Sequence, residues 1–492
     1  VKEACGVFAV YAPGRSVSHL TFDGIYALQH RGQEAAGMAV SDGEAVIVLK
    51  DTGLVTTVFD ERKLTALTGH LAIGHTRYST AGKSDWVNAQ PVYRTVGRGG
   101  FALGHNGNLT RAPDPSGGTG VFADMVTTDS DLMAELIAGA AADAPEGDLR
   151  PALHRVLPTL EGAFSLVLLD TDHVYGVRDR HGFRPLCLGR LGSAERPEGW
   201  VLASESPALD VIGATFVREV RPGELVTIDA SGVHSQQVIP VEHTSPSLCI
   251  FEYVYFARPD ARLHGGEVHG ARRRMGELLA AQAPVAADLV MGVPDSGLPA
   301  AEGFAHRSGI PYGQGLVKNR YIGRTFIDPD QGARDRGVRR KLNPLRESIA
   351  GRRLVVVDDS IVRGTTMRAI VGMLRDAGAR EVHLRISSPP FRWPCFYGMD
   401  TPTRRELLAA HSSPAEIERF LDVDSLAYIT LENLVAATGA PAEGFCDACL
   451  TGHYPVPVPI AIRRSADELP AQELVADEPP RTVVLQGALP GL

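Results

Sequence analysis

The sequence predicts an α/β protein built in two styles: a layered sandwich of antiparallel sheets, followed by a parallel sheet with crossover helices. Three observations predict it. The 492 residues exceed one typical core, so two domains are expected, and a 44% hydrophobic content is enough to fill both. Up to about residue 240 the texture is short apolar strands joined by turns, with few long helical patterns. From about residue 241 strand and helix alternate, as in βαβ units.

In the first half, 163–170 and 174–177 flank a Thr-Asp turn as a hairpin. Residues 225–228 and 233–239 do the same around Ala230-Ser231-Gly232. One helix is predicted over 19–30, with Leu20, Gly24, Ala27 and Arg31 in step and Gly32 as its stop. Another follows Asp129, with Leu132, Leu136, Ile137 and Ala140 on one face. In the second half, 289–293 reads as a strand feeding a helix from Gly297. Residues 354–357 feed the helix of Met367, Ile370, Val371 and Leu374, which Gly378 ends before a strand over 382–386. Ser413-Pro414-Ala415-Glu416 is a capping box with proline at the first helical position. Beyond residue 465, proline and acid dominate and the periodicity weakens. A loosely ordered tail over 466–492 without chemistry is expected.

The net charge of −9 argues against a general binder of nucleic acid or anionic membrane. No apolar run reaches the length of a membrane span, and the first residues carry no secretory h-region, so a cytoplasmic protein is expected. The six cysteines are too few and too scattered for a disulfide scaffold, so catalytic and metal roles come first.

The stretch from Val355 to Thr366 concentrates chemistry. Val355-Val356-Val357 makes a buried strand. Asp358 and Asp359 at its end suit ribose hydroxyls and a metal, and Gly364-Thr365-Thr366 opens a helix whose N–H groups suit a phosphate. Together these resemble the signature of the type I phosphoribosyltransferases, whose ligand is 5-phosphoribosyl 1-diphosphate (PRPP). The resemblance implies that Ser360, Arg363, Gly364, Thr365 and Thr366 form the 5′-phosphate loop and that Asp295, Ser296 and Gly297 hold the pyrophosphate. It also implies that Ser296, Asp358 and Asp359 contact one Mg²⁺ per subunit, a hard cation suited to oxygen ligands. The basic segment from Lys318 through Arg320 and Arg324 to Lys341 resembles the family's loop that closes over PRPP.

Cys5-Gly6-Val7-Phe8 heads an apolar strand. Arg77-Tyr78-Ser79-Thr80, His105-Asn106-Gly107-Asn108 and Thr128-Asp129-Ser130 follow in order. Amide hydrolysis needs an activated nucleophile, aimed donors for the oxyanion, and a guanidinium and a carboxylate for a zwitterionic amino acid. The set resembles the class II glutamine amidotransferases, and the stretch from Leu28 to Gly37 resembles their glutamine PRPP amidotransferase branch. The implied first domain is a four-layer αββα N-terminal-nucleophile (Ntn) hydrolase sandwich with Cys5 as nucleophile. Asn106 and Gly107 then receive the oxyanion, and Arg77, Asp129, Arg31 and Thr80 bind glutamine. Such a nucleophile uses its own α-amine as base, so residues 1–4 are expected to be a propeptide cut before Cys5.

Cys446-Asp447-Ala448-Cys449 is a CxxC, and Cys249 and Cys395 raise the candidate ligands to four. Spacing alone permits zinc, an iron–sulfur cluster or a redox dithiol. The contexts Leu248-Cys249-Ile250-Phe251-Glu252 and Gly444-Phe445-Cys446-Asp447-Ala448-Cys449 are similar to the branch of the glutamine PRPP amidotransferases that carries one structural 4Fe-4S cluster per subunit; Cys187 is left as core. The family resemblance implies an amidotransferase domain over 5–240 and a phosphoribosyltransferase domain over 241–465. It implies glutamine and PRPP as substrates, purine nucleotides as feedback inhibitors and a homotetramer. Two other readings account for less. A glucosamine-6-phosphate synthase shares the first half but not Asp358-Asp359 with Gly364-Thr365-Thr366, and a catalytically silent PRPP sensor leaves Cys5, Arg77, Asn106 and Asp129 without purpose.

Overall fold

The computed structural model describes residues 5–78, 86–96, 99–113, 127–142, 148–319, 340–399, 401, 403–441, 444–458 and 482–483. Residues 1–4, Thr80, Arg320 and Arg324 lie outside that set. Among the described residues no helix is long and apolar enough to cross a membrane.

Two antiparallel sheets build the first half. In the first, Gly6–Tyr11 lies between Leu71–Arg77 and Pro197–Ala203, with Ala35–Ser41 and Val46–Thr52 beyond one neighbour and Cys187–Gly192 and Thr215–Glu219 beyond the other. In the second, the order runs Gly232–Gln237, Glu224–Asp229, Val174–Arg178, Glu161–Leu169, Phe101–Pro113. Both predicted hairpins are present, since Leu169 pairs with Val174 and Ile228 with Val233.

Alternation along the strands explains the layering. Val7, Ala9 and Tyr11 meet Ala102, Val167 and Val226 of the other sheet in a core between the two. Phe8 and Val10 turn outward against Val17 and Ile25 of the helix Val17–Ala27. On the far side Leu103, Leu166 and Leu168 pack under Leu132, Met133 and Ile137 of the helix Asp129–Ala141. Helix, sheet, sheet and helix therefore stack as the predicted four layers.

The first helix stops short of its predicted end. It closes at Ala27, and residues 28–31 turn, with the Leu28 and Arg31 N–H groups donating to Ile25 and Leu28. The pattern at Arg31 was mistaken for a helical face; its side chain is fully buried because it meets two buried carboxylates.

The second half holds a four-stranded parallel sheet in the order Leu289–Gly292, Arg353–Asp358, Glu381–Ile386, Ser425–Tyr428. Val355 and Val357 face a core with the helices Val268–Gln282 and Leu298–Ser308. Leu354 and Val356 face the helix Thr365–Asp376. The capping box is formed as predicted: Ser413 accepts from the Glu416 N–H while the Glu416 carboxylate accepts from the Ser413 N–H at 2.7 Å. From the predicted tail, Thr482–Val483 pairs with Ala112 and Pro113 at a sheet edge; the other residues after 458 lie outside the described set.

Candidate active site

Gly6 pairs with Thr76, so the residues just beyond that pair, Cys5 and Arg77, meet at one end of two interior strands. The Cys5 thiol donates to the Tyr78 carbonyl at 3.4 Å and accepts from the Tyr78 N–H at 3.5 Å. Burial pushes the thiol pKa up, against the opposing pull of the Tyr78 hydrogen bond and of Arg77. The resting thiol therefore keeps its proton at neutral pH, and attack on an amide needs a base.

Cys5, Arg77, Gly107 and Asp129 line one cavity, together with Tyr78, Gln90, His105, Thr128 and Ser130. Asp129 is the first residue of its helix, where the positive end of the helix dipole favours a carboxylate. Its oxygens accept from the Leu109 N–H at 3.1 Å and the Ser130 N–H at 2.9 Å, which fixes the carboxylate without neutralising it. Asn106 and Gly107 do not form a turn. They sit inside the strand Phe101–Pro113, paired with Ser165 and Phe164.

The Asn106 side chain is completely buried, and among the described residues neither its amide nitrogen nor its oxygen has a hydrogen-bond partner. An orphaned buried amide is costly, and a ligand atom that it grasps during a reaction removes the cost. Gly107 has φ +148°, and a Cβ there would meet the Ala163 carbonyl oxygen at 2.0 Å, so only glycine fits. Gln90 was missed by sequence reasoning. Its Oε1 accepts from the His105 N–H at 2.7 Å and its Nε2 donates to Ser130 Oγ at 3.0 Å, which braces two cavity-lining residues. No local motif marks it.

Arg31 does not line this cavity. Its Nε donates to the Cys5 carbonyl at 3.2 Å, and its remaining nitrogens bind Glu205 and Glu252.

In the second half the two acids stand at the carboxyl end of the strand Arg353–Asp358, the end at which α/β sheets hold ligands. Burial and the neighbouring Asp359 push the Asp358 carboxyl well above the usual range. Ser360 donates to Asp359, and Asp358 accepts from the Asp359 N–H at 2.9 Å. Gly364 takes φ +74° as the cap of Thr365–Asp376, so Thr365 and Thr366 occupy the first helical turn, whose N–H groups are unpaired within the helix.

Val293 N–H donates to the Val357 carbonyl at 2.9 Å, which sets the segment 294–297 beside the acids. There Asp295 is ion-paired with Lys318, and Gly297 caps the helix Leu298–Ser308. Arg363 is half-buried and is engaged by Glu406 at 3.0 Å. Leu316–Lys318 and Leu342–Pro344 pair antiparallel and bring the two ends of the basic segment together.

All six cysteines are free thiols. Four of them converge. Cys249 and Cys446 are opposite each other in a short parallel ladder, and the Cys449 carbonyl accepts from the Arg392 and Trp393 N–H groups, which draws the Cys395 segment in. Burial first, and then neighbouring sulfurs, raise both the Cys446 thiol (beside Cys249 and Cys395) and the Cys449 thiol (beside Cys249, Cys395 and Cys446) well above their usual value. Among the described residues no three His, Cys, Asp or Glu side chains are set to hold a single metal ion. Cys187 is buried in the first-sheet core, as expected.

Two family models match the chain. A model of class-II glutamine amidotransferases matches residues 27–188, and a model of the phosphoribosyl transferase domain matches residues 267–387. The chain is 53% identical over 471 residues to the amidophosphoribosyltransferase of Mycobacterium tuberculosis, across 93% of this chain and 87% of that protein. It is 50% identical to the amidophosphoribosyltransferase of Synechococcus elongatus, covering 94% of each. The solved structure of glutamine phosphoribosylpyrophosphate (PRPP) amidotransferase from B. subtilis complexed with ADP and GMP matches with a TM-score of 0.83 at 41% identity, covering 93% of this chain and 98% of that one.

Proposed function

The chain belongs to the amidophosphoribosyltransferase family, and from that premise we propose how its own residues divide the work. The activity is the first step of purine biosynthesis: the amide nitrogen of glutamine replaces the diphosphate of PRPP, giving 5-phosphoribosylamine, glutamate and diphosphate.

Arg77 receives the α-carboxylate of glutamine and Asp129 the α-ammonium. With its base in place, Cys5 Sγ attacks the amide carbon, and the oxyanion forms against the Asn106 side-chain N–H and the Gly107 backbone N–H. Collapse releases ammonia and leaves a γ-glutamyl thioester, which water hydrolyses. The observation that carries this assignment is the unpartnered, fully buried Asn106 amide next to the one glycine that fits there. The base is the Cys5 α-amine, freed by a cut after Ala4, with a reference pKa near 8.

Asn106→Ala is expected to lower kcat for glutamine hydrolysis by about 10²–10³-fold with little change in KM, the usual effect of losing one oxyanion donor. Steady-state kinetics in which KM rises and kcat holds would assign Asn106 to substrate binding instead.

In the second domain Asp358 and Asp359 hold the ribose hydroxyls as positive charge develops at C1. Gly364, Thr365 and Thr366, with Ser360, hold the 5′-phosphate, and Asp295, Ser296, Gly297 and Lys318 face the diphosphate; Arg320, Arg324 and Arg363 belong to the same proposal. Two adjacent carboxylates, one of them held above its normal pKa by burial and then by the other, would be a donor set suited to a divalent cation, with Ser296 completing it. Magnesium bound there supplies charge neutralisation for the departing diphosphate.

Four cysteine thiolates would be a donor set suited to a 4Fe-4S cluster, and the pairing of Cys249 with Cys446, with Cys449 one helical turn on, supports that reading. The cluster's role is structural, since neither half-reaction moves electrons. Purine nucleotides as inhibitors and a homotetramer complete the proposal, and the ADP and GMP held by the B. subtilis protein support the first.

Intact mass and metal analysis of anaerobically purified protein tests these readings together. A chain beginning at Cys5 with about four irons per subunit is expected. Residues 1–4 still attached to active protein would remove the built-in base, and zinc in place of iron would remove the cluster.

A further inference from the structure

We propose that Glu252, contributed by the phosphoribosyltransferase half, is a positioning residue for the nucleophile of the glutaminase half. It acts by clamping the arginine that holds the Cys5 carbonyl; the proposal rests on the reading of Cys5 as that nucleophile. The Arg31, Arg184, Glu205 and Glu252 side chains are all fully buried. Charges are retained at such depth only where partners compensate them in good geometry.

Here Glu252 takes both terminal nitrogens of Arg31, at 3.0 and 2.7 Å, in a two-point grip that fixes the guanidinium plane. Burial opposes the Arg31 charge, but Glu252 and then Glu205 outweigh it and hold the pKa above its ordinary value. The remaining Arg31 nitrogen, Nε, is thereby aimed at the Cys5 carbonyl.

Glu205, the other carboxylate, is anchored within reach of the first half by His30 Nε2 at 2.8 Å, and it also accepts from the Arg258 N–H at 2.9 Å. Glu252 is anchored to the second half. Its other partner, Arg184, binds the Tyr397 carbonyl through two nitrogens at 3.1 and 2.8 Å. One residue further on, a Cβ at Gly398 would meet the Gly107 carbonyl carbon at 2.8 Å, so the same segment abuts the oxyanion strand. The carbonyl of Cys5 fixes the direction of its Cα substituents, the thiol and the α-nitrogen. Removing the Glu252 grip leaves Arg31 on Glu205 alone, free to turn, and the nucleophile loses its backstop. Neither Arg31 nor Glu252 lines the substrate cavity, so the loss falls on kcat for glutamine and spares its binding.

The test uses full-length Glu252→Gln and Glu252→Asp beside wild type and Cys5→Ala. The expected result is a fall of about ten-fold or more in kcat for glutamine hydrolysis, the scale of a sub-ångström to 1 Å misplacement. KM for glutamine and the ammonia-dependent synthesis are expected to stay within about two-fold, as for a distant independent site. Alkylation of Cys5 by a diazoketone analogue of glutamine should slow by the same factor as kcat.

A parallel loss of glutamine- and ammonia-dependent turnover, an unchanged ratio of the two, a rise in KM alone, or failure of both variants to fold would each reduce Glu252 to a structural tie and overturn the proposal. Should Cys5→Ala retain glutamine-dependent turnover, the premise fails and the proposal with it, and that outcome is separate from the others.

Discussion

Cys5→Ala is expected to abolish glutamine-dependent formation of 5-phosphoribosylamine, by on the order of 10⁴-fold or more, while activity with high concentrations of ammonia continues. In the proposed scheme the Cys5 sulfur is the atom that forms the covalent intermediate, and among the described residues lining that cavity there is no other thiol. The proposed phosphoribosyl pocket lies on a different sheet, at the carboxyl end of Arg353–Asp358, and the substitution is expected to leave it intact. Alanine is also well tolerated sterically, because Cys5 is already a small, buried residue at the head of an interior strand. The measurement is the rate of diphosphate release with glutamine and, separately, with ammonium salt. Loss of both rates would contradict a two-site scheme, and retention of both would place the glutaminase nucleophile elsewhere.

The second large effect is expected at the paired acids. Asp358→Asn and Asp359→Asn should each lower synthesis with either nitrogen source by about 10²–10³-fold, the range for losing a group that stabilises developing charge. Hydrolysis of glutamine measured without PRPP should be unaffected.

Stability moves the other way for Asp358. Its carboxyl pKa in the folded protein is raised above the ordinary value, first by burial and then by Asp359. A raised folded pKa means that the ionised form is penalised, so the cost to stability is full above that pKa, shrinks as pH falls below it and is gone below the ordinary carboxylate pKa of the unfolded chain. Asp358→Asn should therefore melt at a higher temperature than wild type at neutral pH without magnesium or PRPP, and the gap should close in acid. A variant that is both less active and less stable at neutral pH would show that the pair serves the fold rather than the ligand.

Much of this molecule was readable in advance, for identifiable physical reasons. The strand ending in Asp358-Asp359 and the helix opening at Thr365 lie within a dozen residues, so composition and period placed them together. The capping box at Ser413 and both hairpins are equally local, and all three formed as predicted. The same local reading failed where distance in space parts from distance in sequence. Arg31 was placed on a helix face and assigned to glutamine, yet the helix ends at Ala27 and the guanidinium turns inward to the Cys5 carbonyl. Composition also does not place Asn106-Gly107: a pair common in tight turns lies here inside the strand Phe101–Pro113, opposite Ser165 and Phe164.

By itself the sequence determined the fold class and the family, because alternation of apolar residues, acids at a strand end and glycine at a helix start are short-range properties of the chain. Only the tertiary structure decided that Cys5 and Arg77 share the end of two paired strands, and that the Asn106 amide is left without a partner. It also decided that Gln90 braces the cavity and that Arg31 is gripped by Glu252 from 221 residues away. Those facts depend on which carboxylates and amides are excluded from water together, and desolvation is a property of the packed molecule that no segment carries alone.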